Sequence, residues 1–87
     1  MTEHTVAVTV RYFAAAAAAA GVDTETLDFA KDATIATLVE QLSGRDAELA
    51  RVLKRCSYLS DGVAVRDMGK RISTPQTLDV LPPFAGG

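Results

Sequence analysis

Alternating apolar and polar residues predict the first two strands of the chain. In residues 5–12 every second residue is valine or tyrosine, and the residues between them are three polar residues and one alanine. A period of two predicts a strand with one buried face and one exposed face. A shorter strand is predicted for residues 25–29, where Leu27 and Phe29 share the inner side.

Three helices are predicted from composition and spacing. Seven alanines, Ala14 to Ala20, precede a glycine. Because alanine is the best helix former and glycine commonly ends helices, this tract predicts a short packed helix. After Thr34, a candidate N-cap, apolar residues recur at helical spacing until Gly44. Asp46 is the candidate N-cap of a third helix, whose apolar stripe is predicted to include Cys56.

The second half of the chain predicts a hairpin and a final strand. Asp61-Gly62 separates two short strand-like runs and is typical of a two-residue turn in which both residues have positive φ. Residues 67–76 are predicted to form a loop and Thr77 to Leu81 a last strand, which Pro82-Pro83 ends because proline cannot donate to a sheet. The whole order predicts an α+β fold with helices packed on one face of a sheet.

Composition limits the classes of function. The chain has 87 residues, of which 48% are apolar and 23% are charged, and this length allows one domain with a modest core. A large catalytic cleft is therefore not expected. The net charge of −2 argues against broad binding to nucleic acid or anionic membranes and favours protein partners. Residues 1–43 hold two bases and six acids, whereas residues 44–87 hold seven bases and five acids, which predicts a polarised surface.

Few side chains are candidates for chemistry. The single histidine, His4, precedes the first strand and is expected to be an exposed bystander. The single cysteine, Cys56, makes neither an internal disulfide nor a cysteine-rich metal cluster. We expect it to be a buried small hydrophobe, and a reactive thiol is the alternative. No nucleophile elbow or phosphate-binding glycine loop is present, so no independent active site is predicted. One histidine and one cysteine are too few soft ligands for a zinc site, so no metal site is predicted either.

No targeting segment is predicted. Arg11 interrupts the first apolar stretch, which a secretory signal would need intact, and no apolar run approaches the roughly 18 residues of a membrane span. Together with the lone cysteine, this favours a protein of the reducing cytoplasm.

The C-terminus is the strongest candidate site. The final strand ends at Pro82-Pro83, so residues 1–81 are predicted to form the domain and residues 82–87 an extended tail that can span up to roughly 20 Å. Gly86 and Gly87 have no Cβ and can pass through a channel too narrow for side chains. The terminal carboxylate would then be the reactive group, once an ATP-using partner had activated it. The alternative is that the two glycines are only a tolerant terminus.

Three segments carry a family resemblance. They are Tyr12-Phe13 with the alanines up to Gly21-Val22-Asp23, the segment Ala33 to Leu38, and the C-terminal Leu81-Pro82-Pro83-Phe84-Ala85-Gly86-Gly87. On these segments the chain resembles the MoaD/ThiS sulfur carriers over almost its whole length. Within that family it is most similar to the small subunits of molybdopterin synthase. The resemblance implies a β-grasp, ubiquitin-like fold with a mixed sheet.

The resemblance also implies a chemistry for Gly87. A dedicated adenylyltransferase would use ATP to convert the terminal carboxylate into an acyl-adenylate, and sulfur from a sulfur-donor protein would then give a thiocarboxylate. The tail would enter the large catalytic subunit of molybdopterin synthase and deliver this sulfur to cyclic pyranopterin monophosphate. The small chain itself would be noncatalytic and bind no cofactor, because the activating partner uses the ATP.

The same resemblance assigns partner binding to the tail. Phe84 holds the bulky position before the small-Gly-Gly end and is the expected anchor for the large subunit, with packing against the core as the alternative. The residues expected to contact partners are Gly86, Ala85, Phe84, Pro83 and Leu81, and Gly87 is expected to react.

Three other functions stay open. A sulfur carrier for thiamine thiazole or cysteine synthesis would use the same terminal chemistry. A ubiquitin-like protein modifier would instead join Gly87 to lysines. A plain interaction module would have an incidental glycine tail.

Overall fold

The computed structural model describes residues 4–83, which form a five-stranded sheet and three helices. In chain order the elements are β1 (Thr5–Tyr12), α1 (Ala15–Ala20), β2 (Thr24–Ala30), α2 (Ile35–Ser43), α3 (Ala47–Leu53), β3 (Ser57–Ser60), β4 (Val63–Ala64) and β5 (Gln76–Leu81). This is the order predicted from the sequence. None of the helices in residues 4–83 is long and apolar enough to cross a membrane.

The first and last strands pair in parallel within the sheet. The strand order is β2-β1-β5-β3-β4, and the other neighbouring strands are antiparallel. In the parallel pair Val10 lies opposite Leu78, and Tyr12 lies opposite Val80. Parallel strands end at the same end of a sheet. The chain therefore leaves β5 beside the end of β1.

One face of the sheet packs against the helices and forms the core. The alternation predicted for β1 is confirmed, because its valines and tyrosine are buried and the residues between them are more exposed. The buried core residues are Val6, Val8, Val10, Tyr12, Ala16, Phe29, Ile35, Leu38, Leu42, Leu49, Leu53, Tyr58, Ile72, Leu78 and Val80. Each large apolar side chain buried here contributes about 1.5–3 kcal/mol relative to exposure.

Side-chain caps and a turn fix the ends of several elements. Thr34 accepts a hydrogen bond from the backbone N–H of Thr37, and Asp46 accepts one from that of Leu49, so both predicted N-caps are confirmed. Asp61 and Gly62 have φ of 49° and 84°, as a type I′ hairpin turn requires.

Two residues lie in surroundings that differ from those predicted. Helix α3 ends at Leu53, so Cys56 lies after the helix, in the turn before β3, and its predicted place on the helical stripe is wrong. The turn is stabilised locally, because the backbone N–H of Cys56 donates to the carbonyl of Leu53 at 3.2 Å. Ile72 lies in the predicted loop but is fully buried, since its backbone pairs with residues just before α2.

Candidate functional site

The chain leaves the fold at the end of β5. Leu81 still pairs with Ser57 of β3 and is half-buried, Pro82 is buried and Pro83 is exposed. The backbone N–H of Phe13 donates to the carbonyl of Val80 at 3.2 Å. This hydrogen bond joins the loop after β1 to the end of strand β5. We call the surface around Pro82 and Pro83 the tail base.

Most of the predicted site residues lie beyond the tail base. Leu81 and Pro83 are at the exit of the chain, where the sequence placed them. Phe84, Ala85, Gly86 and Gly87 lie outside the described residues, so their assignments stay predictions. The sequence also predicted a tail beginning at residue 82, and β5 ends at Leu81.

A groove lies on the helix side of the tail base. It has a volume of about 280 Å³, and its lining combines apolar side chains with two guanidinium groups: Ala15, Arg51, Val52, Arg55, Pro82 and Pro83. Arg51 lies in the last turn of α3, and Arg55 lies in the turn that follows it. The groove therefore brings positive charge next to the point where the tail begins.

An ion pair lies on the opposite, outer face of the sheet near the tail base. Arg11 and Asp79 are cross-strand neighbours, and Arg11 donates two hydrogen bonds to the carboxylate, at 2.6 and 2.9 Å. These hydrogen bonds raise the pKa of Arg11. The guanidinium carbon also lies 5.7 Å from the centroid of the Phe13 ring, within the range of a cation–π contact. The Asp79 side chain is only 9% exposed, a burial that no local pattern in the sequence indicates.

A second charged network joins β1, β2 and the turn between α2 and α3. The carboxylate of Glu25 accepts hydrogen bonds from the Tyr12 hydroxyl at 2.6 Å and from Arg45 at 2.7 and 3.2 Å. The hydrogen bonds from Arg45 lower the pKa of Glu25, and burial raises the pKa of Tyr12. This network holds the end of β1 in place and brings no reactive group to the surface.

Cys56 and His4 lie away from the tail base. The thiol of Cys56 is half-buried and donates to the carbonyl of Val52 at 3.3 Å, and burial raises its pKa. A raised pKa keeps the thiol protonated and poorly nucleophilic near neutral pH, which favours the structural interpretation. His4 is exposed at the start of β1. Among residues 4–83, no group of three or more His, Cys, Asp or Glu side chains could hold a metal ion.

Solved structures share this fold. A Pyrococcus furiosus protein provisionally assigned as molybdopterin converting factor subunit 1 aligns with 23% identity and a TM-score of 0.80, over 91% of this chain and 99% of that one. SAMP1 of Haloferax volcanii aligns with 27% identity and a TM-score of 0.79, over 93% of this chain and 99% of that one. The expected β-grasp, ubiquitin-like fold is confirmed.

A further match comes from an assembled complex. A chain in the complex of subunits 1 and 2 of molybdopterin-converting factor from Helicobacter pylori aligns with 17% identity and a TM-score of 0.67, over 94% of this chain and 100% of that one. In that structure subunit 1 forms a complex with subunit 2.

The sequence itself matches a family model. The ThiS family model covers residues 10–87, which include β1 from Val10 onwards, the central pairing with β5 and the Gly-Gly end. Comparison with curated proteins gives no significant match. The resemblance seen in the sequence is thus confirmed, and the chain belongs to the ThiS family of ubiquitin-like sulfur carriers.

Proposed function

We propose that this chain is the sulfur-carrying small subunit of a molybdopterin synthase and that Gly87 carries the sulfur. The observation that carries the proposal is the family match, which runs to residue 87 on a fold whose strand β5 leads directly to the tail. The structural likeness to molybdopterin converting factor chains from two organisms supports the choice of pathway.

The chemistry begins with a poor electrophile, the carboxylate of Gly87. An adenylyltransferase joins this carboxylate to the AMP part of ATP and releases pyrophosphate. The outer sulfur of a persulfide on a donor protein then displaces AMP and forms an acyl disulfide with Gly87. A second thiol of the donor protein attacks the donor's own sulfur in this bond, so that a disulfide forms in the donor and the thiocarboxylate of Gly87 is released. Residues 4–83 supply no acid, base or metal to these steps and act as the handle that partners hold. The reaction needs ATP and a sulfur donor that is kept in a reducing compartment. We therefore propose that this chain works in the cytoplasm.

The sulfur is next delivered inside the large catalytic subunit. Cyclic pyranopterin monophosphate receives it, and hydrolysis returns Gly87 to a carboxylate that can be charged again. Leu81 and Pro83 lie where a partner that takes up the tail must contact the domain. Phe84, Ala85 and Gly86 then continue into the catalytic subunit, with Phe84 as the anchor.

Intact-mass measurement tests the terminal chemistry. The chain is incubated with ATP, a cognate adenylyltransferase and a sulfur source, beside a variant extended by one alanine after Gly87. We expect a mass gain equal to exchange of one oxygen for one sulfur in the unextended chain alone. The adenylyltransferase is first shown to be active on a known carrier protein. If the mass of this chain then does not increase, the result would contradict sulfur carriage and favour the interaction module.

Partner capture tests the pathway. The untagged large subunit of molybdopterin synthase is expected to copurify with this chain and to convert cyclic pyranopterin monophosphate when the thiocarboxylated chain is supplied. Sulfur delivery only to a thiazole-forming or cysteine-forming enzyme would overturn the pathway and keep the carrier.

Calorimetry tests the anchor. Phe84→Ala is expected to weaken binding of the large subunit at least about tenfold, because a buried aromatic anchor is often worth 2 kcal/mol or more. Val63→Ala, at a position 67% exposed in the hairpin, is the control and should bind normally. Equal affinities for Phe84→Ala and the wild type would remove Phe84 from the interface.

Protein modification is a second candidate, favoured by one observation. SAMP1, at 27% identity, is described as a small archaeal modifier protein. In this function a lysine amine would attack the activated carboxyl group of Gly87 and form an isopeptide bond. Conjugates in cell extract that resist hydroxylamine and disappear on deletion of Gly86 and Gly87 would support it, and their absence beside a measurable thiocarboxylate would exclude it.

A further inference from the structure

Three of the six arginines, Arg11, Arg45 and Arg51, form ion pairs within residues 4–83, whereas Arg55, Arg66 and Arg71 form none there. Arg11 and Arg45 each make hydrogen bonds to a carboxylate whose side chain is mostly buried, with shortest distances of 2.6 and 2.7 Å. At the groove of the tail base, Arg51 reaches only Glu48, at 3.1 Å, and both of these side chains are more than half exposed. No carboxylate within residues 4–83 lies within 4.0 Å of the Arg55 guanidinium group. The groove thus carries charge that the fold itself does not neutralise.

Local stability accounts for only part of this charge. Arg51 lies in the last turn of α3, where a cation interacts favourably with the helix dipole, and its exposed pair with Glu48 adds little to stability. Arg55 directly follows the C-cap Lys54, so it also lies near the negative end of the dipole, but it has no carboxylate partner within residues 4–83. Unlike Arg66 and Arg71, it lines the groove beside Pro82 and Pro83, where a bound protein can meet its charge.

We propose that the groove binds an acidic segment of the protein that adenylates Gly87, an inference that rests on the proposed function. A guanidinium group presents a planar fork of donors that matches a carboxylate, and two such groups here flank an apolar floor of proline, valine and alanine. A partner carboxylate can pair with Arg55 and compete for Arg51, while its neighbouring aliphatic atoms cover the exposed Pro83.

The distance to the reacting atom requires this contact. Four residues, 84 to 87, follow Pro83. At 3.3–3.6 Å per extended residue they reach at most about 14 Å. A protein whose active site holds Gly87 therefore lies against the tail base.

The chemistry of the tail indicates which partner needs the charge. The side chains of Phe84, Ala85, Gly86 and Gly87 carry no ionisable group. Before activation, the terminal carboxylate is also the same group that every protein presents. The Gly-Gly end fits a narrow channel but carries no side-chain charge, so any charge-based selection by the adenylating protein uses the surface beside the tail.

Charge reversal in the groove tests this inference. ATP–pyrophosphate exchange by the adenylyltransferase is measured against the concentration of the wild-type chain and of the double variant Arg51→Glu/Arg55→Glu. We expect the KM for the carrier to rise about tenfold or more, because each reversed charge faces a carboxylate, while kcat changes less than twofold. The wild-type KM should also rise more steeply with salt than that of the variant.

A matched control separates the groove from overall charge. Lys31→Glu/Lys70→Glu changes the net charge by the same amount, and both lysines are exposed near the opposite end of β1. This control should keep the wild-type KM. Arg51→Gln/Arg55→Gln adds no like charge beside Glu48 and should give a smaller rise in KM, provided that urea unfolding shows it folded.

The outcomes distinguish the two proposals. If the wild-type chain supports no exchange with an active adenylyltransferase, the proposed function fails. Suppose instead that the wild-type chain supports exchange. If both charge-reversal double variants then keep the wild-type KM, or if the KM rises equally in both, the groove is not the recognition site. If the Arg51→Glu/Arg55→Glu variant is activated normally and loses only binding to the large subunit, the assignment to the adenylating partner is wrong.

Discussion

The Glu25 network and the base of the tail treat charge in different ways. In the network, the carboxylate of Glu25 accepts hydrogen bonds from the buried Tyr12 and from the exposed Arg45, so these polar groups satisfy one another. At the tail base, Arg55 lies in an open groove beside Pro82 and Pro83. Removing Glu25 leaves the buried Tyr12 hydroxyl without its acceptor, which costs desolvation energy, whereas removing the Arg55 charge leaves no ion-pair partner behind within residues 4–83.

This difference indicates which residues serve stability and which serve a partner. In the proposed function, the domain needs a firm core because it presents the tail to partner proteins. The tail base instead presents the exposed Pro83, the Arg51 guanidinium group in an exposed pair with Glu48, and the Arg55 guanidinium group, which has no carboxylate partner within residues 4–83. Substitutions in the two regions should therefore separate folding from activation.

The largest effect is expected in the core. Leu38 of α2 is fully buried, and Leu38→Ala should lower the free energy of unfolding by about 2–5 kcal/mol, because it removes apolar contact and leaves a cavity. Urea unfolding followed by circular dichroism measures this change. Val63→Ala, at an exposed position, should cost less than about 0.5 kcal/mol. Similar costs at the two positions would contradict the assigned core.

The Glu25 network should give the next largest effect on the free energy of unfolding. Glu25→Ala leaves the buried Tyr12 hydroxyl and Arg45 without their acceptor, so we expect a loss of about 2 kcal/mol. Glu40→Ala, on the exposed side of α2, is the control and should be nearly neutral. If both variants unfold at the same urea concentration, the network does not stabilise the fold.

Acid should weaken the same network. The pKa of Glu25 in the fold is lowered from its ordinary value of 4.5, chiefly by the hydrogen bonds from Arg45. A lowered pKa means that the stabilisation is complete above the unfolded value and is lost as pH falls through the folded value. The difference in unfolding free energy between wild type and Glu25→Gln should therefore be constant near neutral pH and shrink below about pH 4.5. A difference that grows in acid would contradict this sign.

Two glycines that follow helices should respond in opposite directions. Gly21 after α1 has φ of 82°, and Gly21→Ala should cost about 1 kcal/mol because a side chain strains this conformation. Gly44 after α2 has φ of −72°, and an added Cβ would make only ordinary contacts, at 3.6 and 3.7 Å. Gly44→Ala should therefore stabilise the chain by about 0.4–1 kcal/mol in thermal or urea unfolding. If both substitutions changed the free energy of unfolding in the same direction, this distinction would be refuted.

The smallest effect on stability is expected at the tail base. Arg55→Ala should change the free energy of unfolding by less than about 0.5 kcal/mol, because the groove gives its charge no partner within residues 4–83. The same variant should raise the KM for the carrier in ATP–pyrophosphate exchange. A large loss of stability would show that Arg55 serves the fold, and the contrast between the two regions would fail.

Local patterns in the sequence predicted most of the helices, strands and turns. They predicted fewer of the contacts that individual residues make in the fold. The alternation in β1, the caps Thr34 and Asp46 and the Asp61-Gly62 turn depend on neighbouring residues, and the structure has all of them. Cys56 was misplaced because its spacing continued the helical stripe past the point where α3 ends. The Gly-Gly end indicated the candidate site through its terminal position and family motif, which need no tertiary contact.

The sequence by itself determined the order of elements, the family and the candidate reactive terminus. The tertiary structure decided which distant residues meet. It pairs Arg11 with Asp79 because β1 and β5 run in parallel, buries Ile72 inside a loop, and brings Arg55 beside Pro82. Capping and periodicity act over a few residues and can be read along the chain. Contacts between residues far apart depend on the strand order and helix packing of the whole domain.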